Sequence, residues 1–352
     1  PSENPRAQTT QLFIHKTVMQ NAMNYDTDIK LAKEKDAIDN GHIFDYRDTP
    51  YEHLCDDFYK FCRQHLNENS KKYNIEPSIF IYTGFFDSNA MAQYKNDAFS
   101  IHINVGLIKK CQENYLENES FDEYLEKQYS EIIKHFDNPI TGLAFQIATQ
   151  FTYYHEFAHL VQFEKKRENI SMQERFVIAS TYDKVKQHME TNADTLASIA
   201  IASHIQQYIK KSFGDNITQE NVEFTIIVLC SCLLNHIANF YSDLPNIYFK
   251  EHKHPHPFLR LFTVNLNIVN YLNQSEFFKE KGIEIKINRV FKQVLDFYQE
   301  LEKNKIFDTK IAETMENASK QQKEIVEYMG DLIQFDVKDY NNAVDQWNKH
   351  FA

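Results

Sequence analysis

Glycine and proline are scarce in this chain, at 7 and 8 of 352 residues. A turn-rich β sandwich or barrel needs both at its reversals, so the scarcity argues against one. Cysteine is also sparse: Cys55, Cys62, Cys111, Cys230 and Cys232 are odd in number and include no Cys-x-x-Cys pair. Cys55 and Cys62 share a face of one predicted helix but sit two turns apart, too far for an unstrained bridge. Free thiols in a reducing compartment are the reading. Basic residues are outnumbered, 38 Lys and Arg against 50 Asp and Glu, giving a net charge of −12 with no offsetting basic stripe. That balance disfavours nonspecific binding to nucleic acid or anionic lipid. No apolar run reaches the roughly twenty residues of a membrane span. The longest, at 224–234, stops at Asn235 and His236 and reads as a buried helix. The first residues are polar and lack the apolar core of a signal peptide, so the expected location is the cytoplasm.

What the chain has in quantity is aromatic side chains, 28 Phe and 20 Tyr, within an ordinary globular 42% apolar and 25% charged. The expected fold is α+β and predominantly helical, with aromatic packing between long helices. At this length it can bury a sizeable core.

Near the middle stands Thr152-Tyr-Tyr-His155-Glu156-Phe-Ala-His159-Leu-Val-Gln162. Two histidines four apart on a helix lie one turn above each other on one face, so both imidazoles can reach a single ion. Zinc suits them: it accepts neutral imidazole nitrogens tetrahedrally and can keep one position open for water. Glu156, next to His155, is placed to take a proton from that water. The surrounding residues are almost all apolar, as on a helix crossing a core; Gln162 is the exception. Two satisfied core histidines and an ion-paired glutamate would give the same five letters, so a third ligand has to decide.

A candidate lies downstream in Glu190-Thr-Asn-Ala-Asp194. Glu190 and Asp194 are four apart and project from one helical face. Read alone they are an ordinary acidic helix start, favoured by the helix dipole. After an apolar His-Glu-x-x-His helix, Glu190 completes a two-His, one-Glu zinc set. Asp194 can then accept the spare N–H of a ligating histidine.

Glu-x-x-Ala-Asp-x-x-Ala following His-Glu-x-x-His resembles the gluzincin metalloproteases, in particular their HtpX-like and CAAX-prenyl-protease-like branch. Two further segments share the resemblance. Asn89-Ala90, then Ile101-His-Ile-Asn-Val-Gly106-Leu, is similar to that branch's Asn-Ala edge strand and its hydrophobic strand ending in Gly-Leu. His254-Pro255-His-Pro-Phe-Leu-Arg260 is similar to its His-Pro, four-residue gap, Arg motif. The four pieces cover roughly residues 80 to 262 in the family's order. The resemblance implies a zincin-like core, an edge strand at Asn89 and Ala90 that pairs with an extended substrate peptide, and a histidine that stabilises the oxyanion. The family spacing from Arg260 picks His254 for that role, with His256 second. Arg260 is expected to orient that histidine's loop or to pair with an acidic or substrate group. Members of that branch are often membrane-embedded, and this chain departs from them there. In size, solubility and motif position it also resembles phage-exclusion proteases of the Lit type.

Along the rest of the chain the expected order is a short strand at 12–18, an exposed helix at 26–40, and a helix from Thr49-Pro50 to about Asn67. The last is expected to face inward through Tyr51, Leu54, Phe58, Phe61 and Cys62, with His53 and His65 on the surface. Strands are predicted at 78–82 and 99–103, where His102 reads as structural. Helices follow to about Phe136, broken at 118–120. The zinc helix is predicted over 139–166 and the Glu190 helix to about Lys211, ending before Gly214. His236 reads as a satisfied core histidine. A helix is expected from Pro257 to about Asn273, a loop with one strand over 275–286, amphipathic helices from Ile287 to about Gln334, and a last segment at 340–351. Three parts follow: a mainly helical 1–77, a catalytic core at 78–274, and a helical extension at 275–352 packed on the core.

The function this predicts is a zinc-dependent endopeptidase acting on a protein or peptide substrate, with no membrane span and no nucleic-acid partner. The C-terminal helices are open to a homo-oligomer face or a protein partner. Two alternatives remain: a zinc-binding regulatory module without turnover, and an aminopeptidase.

Overall fold

The computed structural model describes residues 24–164, 167–173, 182–240 and 246–333. The predicted strand at 12–18 and the segment at 340–351, with Trp347, lie outside them. The fold is α+β and predominantly helical, with one small four-stranded mixed sheet.

Helices α1 (Tyr25–Glu34) and α2 (Glu52–Asn69) precede the sheet. The first is shorter than the charge pattern suggested, and a single 3₁₀ turn at Asn40–His42 takes up the remainder. α2 buries Cys55, Phe58, Tyr59, Cys62 and Leu66, with Tyr51, Leu54 and Phe61 partly covered. His65 corrects an expectation: it is half-buried against aromatic rings. Its Nδ1 lies 2.9 Å from the Tyr153 hydroxyl, and its ring packs edge-on against Tyr154 and Phe157.

β1 (Ser78–Thr83) pairs in parallel with β3 (Ala98–Asn104), which pairs antiparallel with β2 (Ala90–Lys95). The β2–β3 hairpin turns at Asn96 and Asp97, whose φ values of 50° and 57° are those of a type I′ turn. β2 is not an edge strand: β4 (Ile170–Gln173) covers it from Met91 to Tyr94, giving the order β1-β3-β2-β4. After β3 the chain enters α3 (Val105–Cys111). A Cβ on Gly106 would stand 2.2 Å from the Phe86 carbonyl carbon, so only glycine admits this crossing of two backbones.

α4 (Glu119–Ile133) leads to α5 (Ile140–Phe163), the centre of the molecule. All 24 residues of α5 are buried. A helix apolar on every side needs cover on every side, and β2, β3, α6 (Lys184–Phe213) and α7 (Gln219–Ala238) supply it. Asp183 caps α6, accepting from the Lys186 amide at 3.1 Å, and Gly214 at φ +51° ends it. Among the described residues α7 is the one helix long and apolar enough to cross a membrane, and 83% of that stretch is buried in the fold. His236 on α7 is a core histidine, its Nε2 2.6 Å from Thr152 Oγ1.

α8 (Pro257–Gln274) lies along α6 and touches α7, and α10 (Ile287–Lys303) packs on α7 and α8. Between them the predicted strand is absent and a short helix, α9 (Glu276–Glu280), stands in its place. α11 (Ile311–Lys320) and α12 (Gln322–Ile333) close the described chain. One continuous core runs from Tyr25 to Ile311, through all three predicted parts. A second, smaller cluster of Ile247, Phe258, Leu259, Ala318, Tyr328, Met329 and Leu332 lies under α12.

Candidate metal centre

α5 and α6 pack along each other, so the face of one carrying two histidines meets the face of the other carrying two carboxylates. His155, His159 and Glu190 each offer one ligand atom, and these atoms all lie within 4.8 Å of one another. The two Nε2 atoms are 3.0 Å apart; that of His155 is 3.2 Å from Glu190 Oε2 and that of His159 is 3.5 Å from Glu190 Oε1. All three residues are buried. The group could hold a metal ion.

The far side of each ring fixes its tautomer. His155 Nδ1 is 3.0 Å from Asp194 Oδ1. A carboxylate only accepts, so that nitrogen carries the hydrogen, and in the neutral ring Nε2 carries the lone pair. His159 Nδ1 is 2.7 Å from Gln162 Oε1, while Gln162 Nε2 donates to the Met189 carbonyl at 3.0 Å. The carbonyl can only accept, so the amide orientation is settled and His159 Nδ1 also donates. Two imidazole lone pairs therefore face each other beside a carboxylate whose oxygens have no hydrogen-bond partner of good geometry. Three acceptors converging in a dry site repel one another unless a cation lies between them.

Glu156 is fully buried next to His155. His254, in the loop before α8, places Nδ1 3.3 Å from Glu190 Oε2 and is the least buried of the group. Of the two histidines weighed from the sequence, His254 is the one beside Glu190. His256 instead caps α8, its Nδ1 accepting from the Phe258 amide at 3.2 Å. Arg260 forks onto Asp194, with Nε 2.8 Å from Oδ2 and Nη2 2.7 Å from Oδ1. Its side chain is 0% exposed. The acidic group that Arg260 was expected to pair with is thus Asp194, the same carboxylate that accepts from His155 Nδ1.

Asn89 and Ala90 sit at the start of β2. Asn89 Oδ1 accepts from the Ala90 amide at 3.0 Å, and the Asn89 carbonyl accepts from the Asn104 amide at 3.1 Å. The sheet edge is formed by β4, whose pairing with β2 starts at Met91, just past these two residues. Gln162 was missed as a site residue. Its signal was present, since it was the lone polar side chain after the motif and stands three residues from His159 on the same helical face.

Compared with known proteins, the chain matches no protein-family model, no curated protein and no solved structure.

Proposed function

We propose that the chain is a zinc-dependent endopeptidase with a zincin-like core, acting on a protein or peptide substrate. The observation that carries this is the convergence of three lone-pair donors from His155, His159 and Glu190, with both imidazole tautomers set from behind. The resemblance to gluzincin metalloproteases supports the same reading. The donor set of two imidazoles and one carboxylate is that of catalytic zinc. Charge supports a divalent ion: Arg260 offsets Asp194, and two positive charges offset Glu156 and Glu190.

His155, His159 and Glu190 would hold the zinc, which when bound would supply Lewis acidity and a water activated near neutral pH. Glu156 is the general base: its carboxylate takes a proton from the attacking water and passes it to the leaving amide nitrogen. His254 donates a hydrogen bond to the oxyanion that develops on the substrate carbonyl. Asp194 and Gln162 keep the proton on Nδ1 of each histidine, and Arg260 holds Asp194 in place. The setting is a reducing, cytoplasmic compartment, in which the five buried free cysteines stay as thiols.

Complete burial of the group favours a second reading, a metal site that only stabilises the fold. Structural zinc sites close their shell with four protein ligands. Among the described residues three converge here, next to a glutamate of no use to a structural site. The test compares wild type with Glu156→Gln: metal content measured on both, and new peptide termini sought in cells expressing each. Equal zinc with termini seen only in wild type is the expected result. Termini that persist in Glu156→Gln defeat the enzyme reading.

A further inference from the structure

The C-terminal helices have no part in the chemistry above, yet one of them reaches the two segments that carry Glu190 and His254. The link is Gln187, in the first turn of α6 and 0% exposed. Its Nε2 donates to the Phe249 and His252 carbonyls, both at 2.9 Å, in the loop that ends at His254. Its Oε1 accepts from the Tyr328 hydroxyl of α12 at 2.9 Å. The neighbouring His188 places Nδ1 3.2 Å from the Leu332 carbonyl, so α12 is fastened to α6 at two points one turn apart. Beneath it, Tyr328, Met329 and Leu332 share the small separate cluster with Ile247, Phe258 and Leu259, which flank the His254 loop on both sides.

We propose that α12 is a positioning strap for the metal centre, and that Tyr328, acting through Gln187, sets the place of His254 beside Glu190. Every hydrogen-bonding atom of the Gln187 amide is used, two on the loop and one on the strap. Losing the strap's bond therefore frees the amide to rotate away from the loop. The strap's apolar cluster shares no fully buried side chain with the main core and meets it through the half-buried Phe291, Leu295 and Met315, so it can loosen without opening α5 or the sheet. The placement of His254 is functional only if the peptidase reading holds, and in that sense the inference rests on it; the mechanical link does not.

Two substitutions in the full chain separate the links. Tyr328→Phe removes only the strap's bond. Gln187→Glu keeps an acceptor for Tyr328 but replaces the donor to both loop carbonyls. Hydrogen–deuterium exchange on the metal-free proteins is expected to speed up about tenfold over 246–256 in both variants, the fold-change of one lost buried hydrogen bond, with α5 unchanged. A loop that exchanges at the wild-type rate in Tyr328→Phe overturns the proposal. A second measurement reads position directly. With cobalt(II) bound, the His254 ring protons should show strong paramagnetic shifts in wild type that shrink in both variants, while those of His155 and His159 persist. Unchanged His254 shifts also overturn it. If wild type binds no cobalt, the metal reading fails, and the exchange rates still decide the strap.

Discussion

One oxygen of Asp194 is shared between Arg260 and His155: Oδ1 lies 2.7 Å from Arg260 Nη2 and 3.0 Å from His155 Nδ1. A residue on α8 is thus linked to His155 on α5 through a carboxylate on α6. The guanidinium also draws charge away from the carboxylate, leaving His155 a less basic donor than an isolated Asp-His pair would.

Breaking this fork from one side should cost far more than removing it whole. Arg260→Met leaves a buried carboxylate with one imidazole for company, and Asp194→Asn leaves a buried guanidinium. Each is expected to lose about 3–5 kcal/mol of stability. The double variant should lose clearly less than the sum, because no charge is left stranded. Urea unfolding of the four proteins closes the cycle, and strict additivity would show that the two side chains are not coupled.

Glu190 should give opposite signs with and without metal. In the loaded protein Glu190→Gln removes a charged ligand, so the metal is lost along with its stabilisation, about 4 kcal/mol at a thousandfold excess over Kd. In the metal-free protein the same change removes a buried negative charge and points an amide donor at two lone pairs, so the melting temperature should rise. Melting curves in zinc and in chelator test both halves. A variant that melts below wild type in chelator as well would mean that no acceptor crowding exists to relieve.

Acid should weaken the fold before its carboxylates titrate. Burial holds His102 down to about 4 and His204 to about 4. Burial, with His204 and Lys72 adding to it, takes His65 to about 3. These rings are neutral in the folded chain and gain protons near 6.5 once unfolded. Their contribution is therefore whole above about pH 6.5 and is lost as pH falls toward 4. His102, buried throughout and 2.9 Å from Ser100 Oγ, should account for about 3 kcal/mol over that window. His102→Gln is expected to flatten stability against pH between 6.5 and 4, measured by unfolding at fixed pH values. A slope equal to that of wild type would count against this.

How much of this was legible beforehand divides along the distance over which residues act. α5, α6 and α8 could be read because helical spacing is a local matter: four residues put His155 over His159, and Gly214 and Pro257 mark an end and a start. β4 could not, since four residues of Ile-Ser-Met-Gln have no period to detect, and β2 was accordingly misread as an edge. His65 looked exposed among charged sequence neighbours, but the rings that cover it come from α5, 88 residues away at Tyr153. The selection of His254 over His256 is a property of packing: a cap for α8 consumes one ring and leaves the other to face Glu190.

Gln162 offers the sharpest test of the tautomer argument. With an amide behind it, His159 keeps its proton on Nδ1 and presents a lone pair to the ion. Gln162→Leu strands that N–H in an apolar wall and makes the other tautomer, with hydrogen on Nε2, the better one. Metal binding must then reverse that choice, so zinc affinity should fall about 10–100-fold with little change in fold. Gln162→Glu keeps an acceptor for His159 but puts a carboxylate against the Met189 carbonyl, 3.0 Å from the present amide nitrogen. It should hold zinc within about tenfold of wild type while losing stability at neutral pH. Titration against a chromophoric chelator ranks the three proteins. If Gln162→Leu binds zinc as tightly as wild type, the proton on His159 is not set from behind, and the facing lone pairs lose their force as a reason to place a cation there.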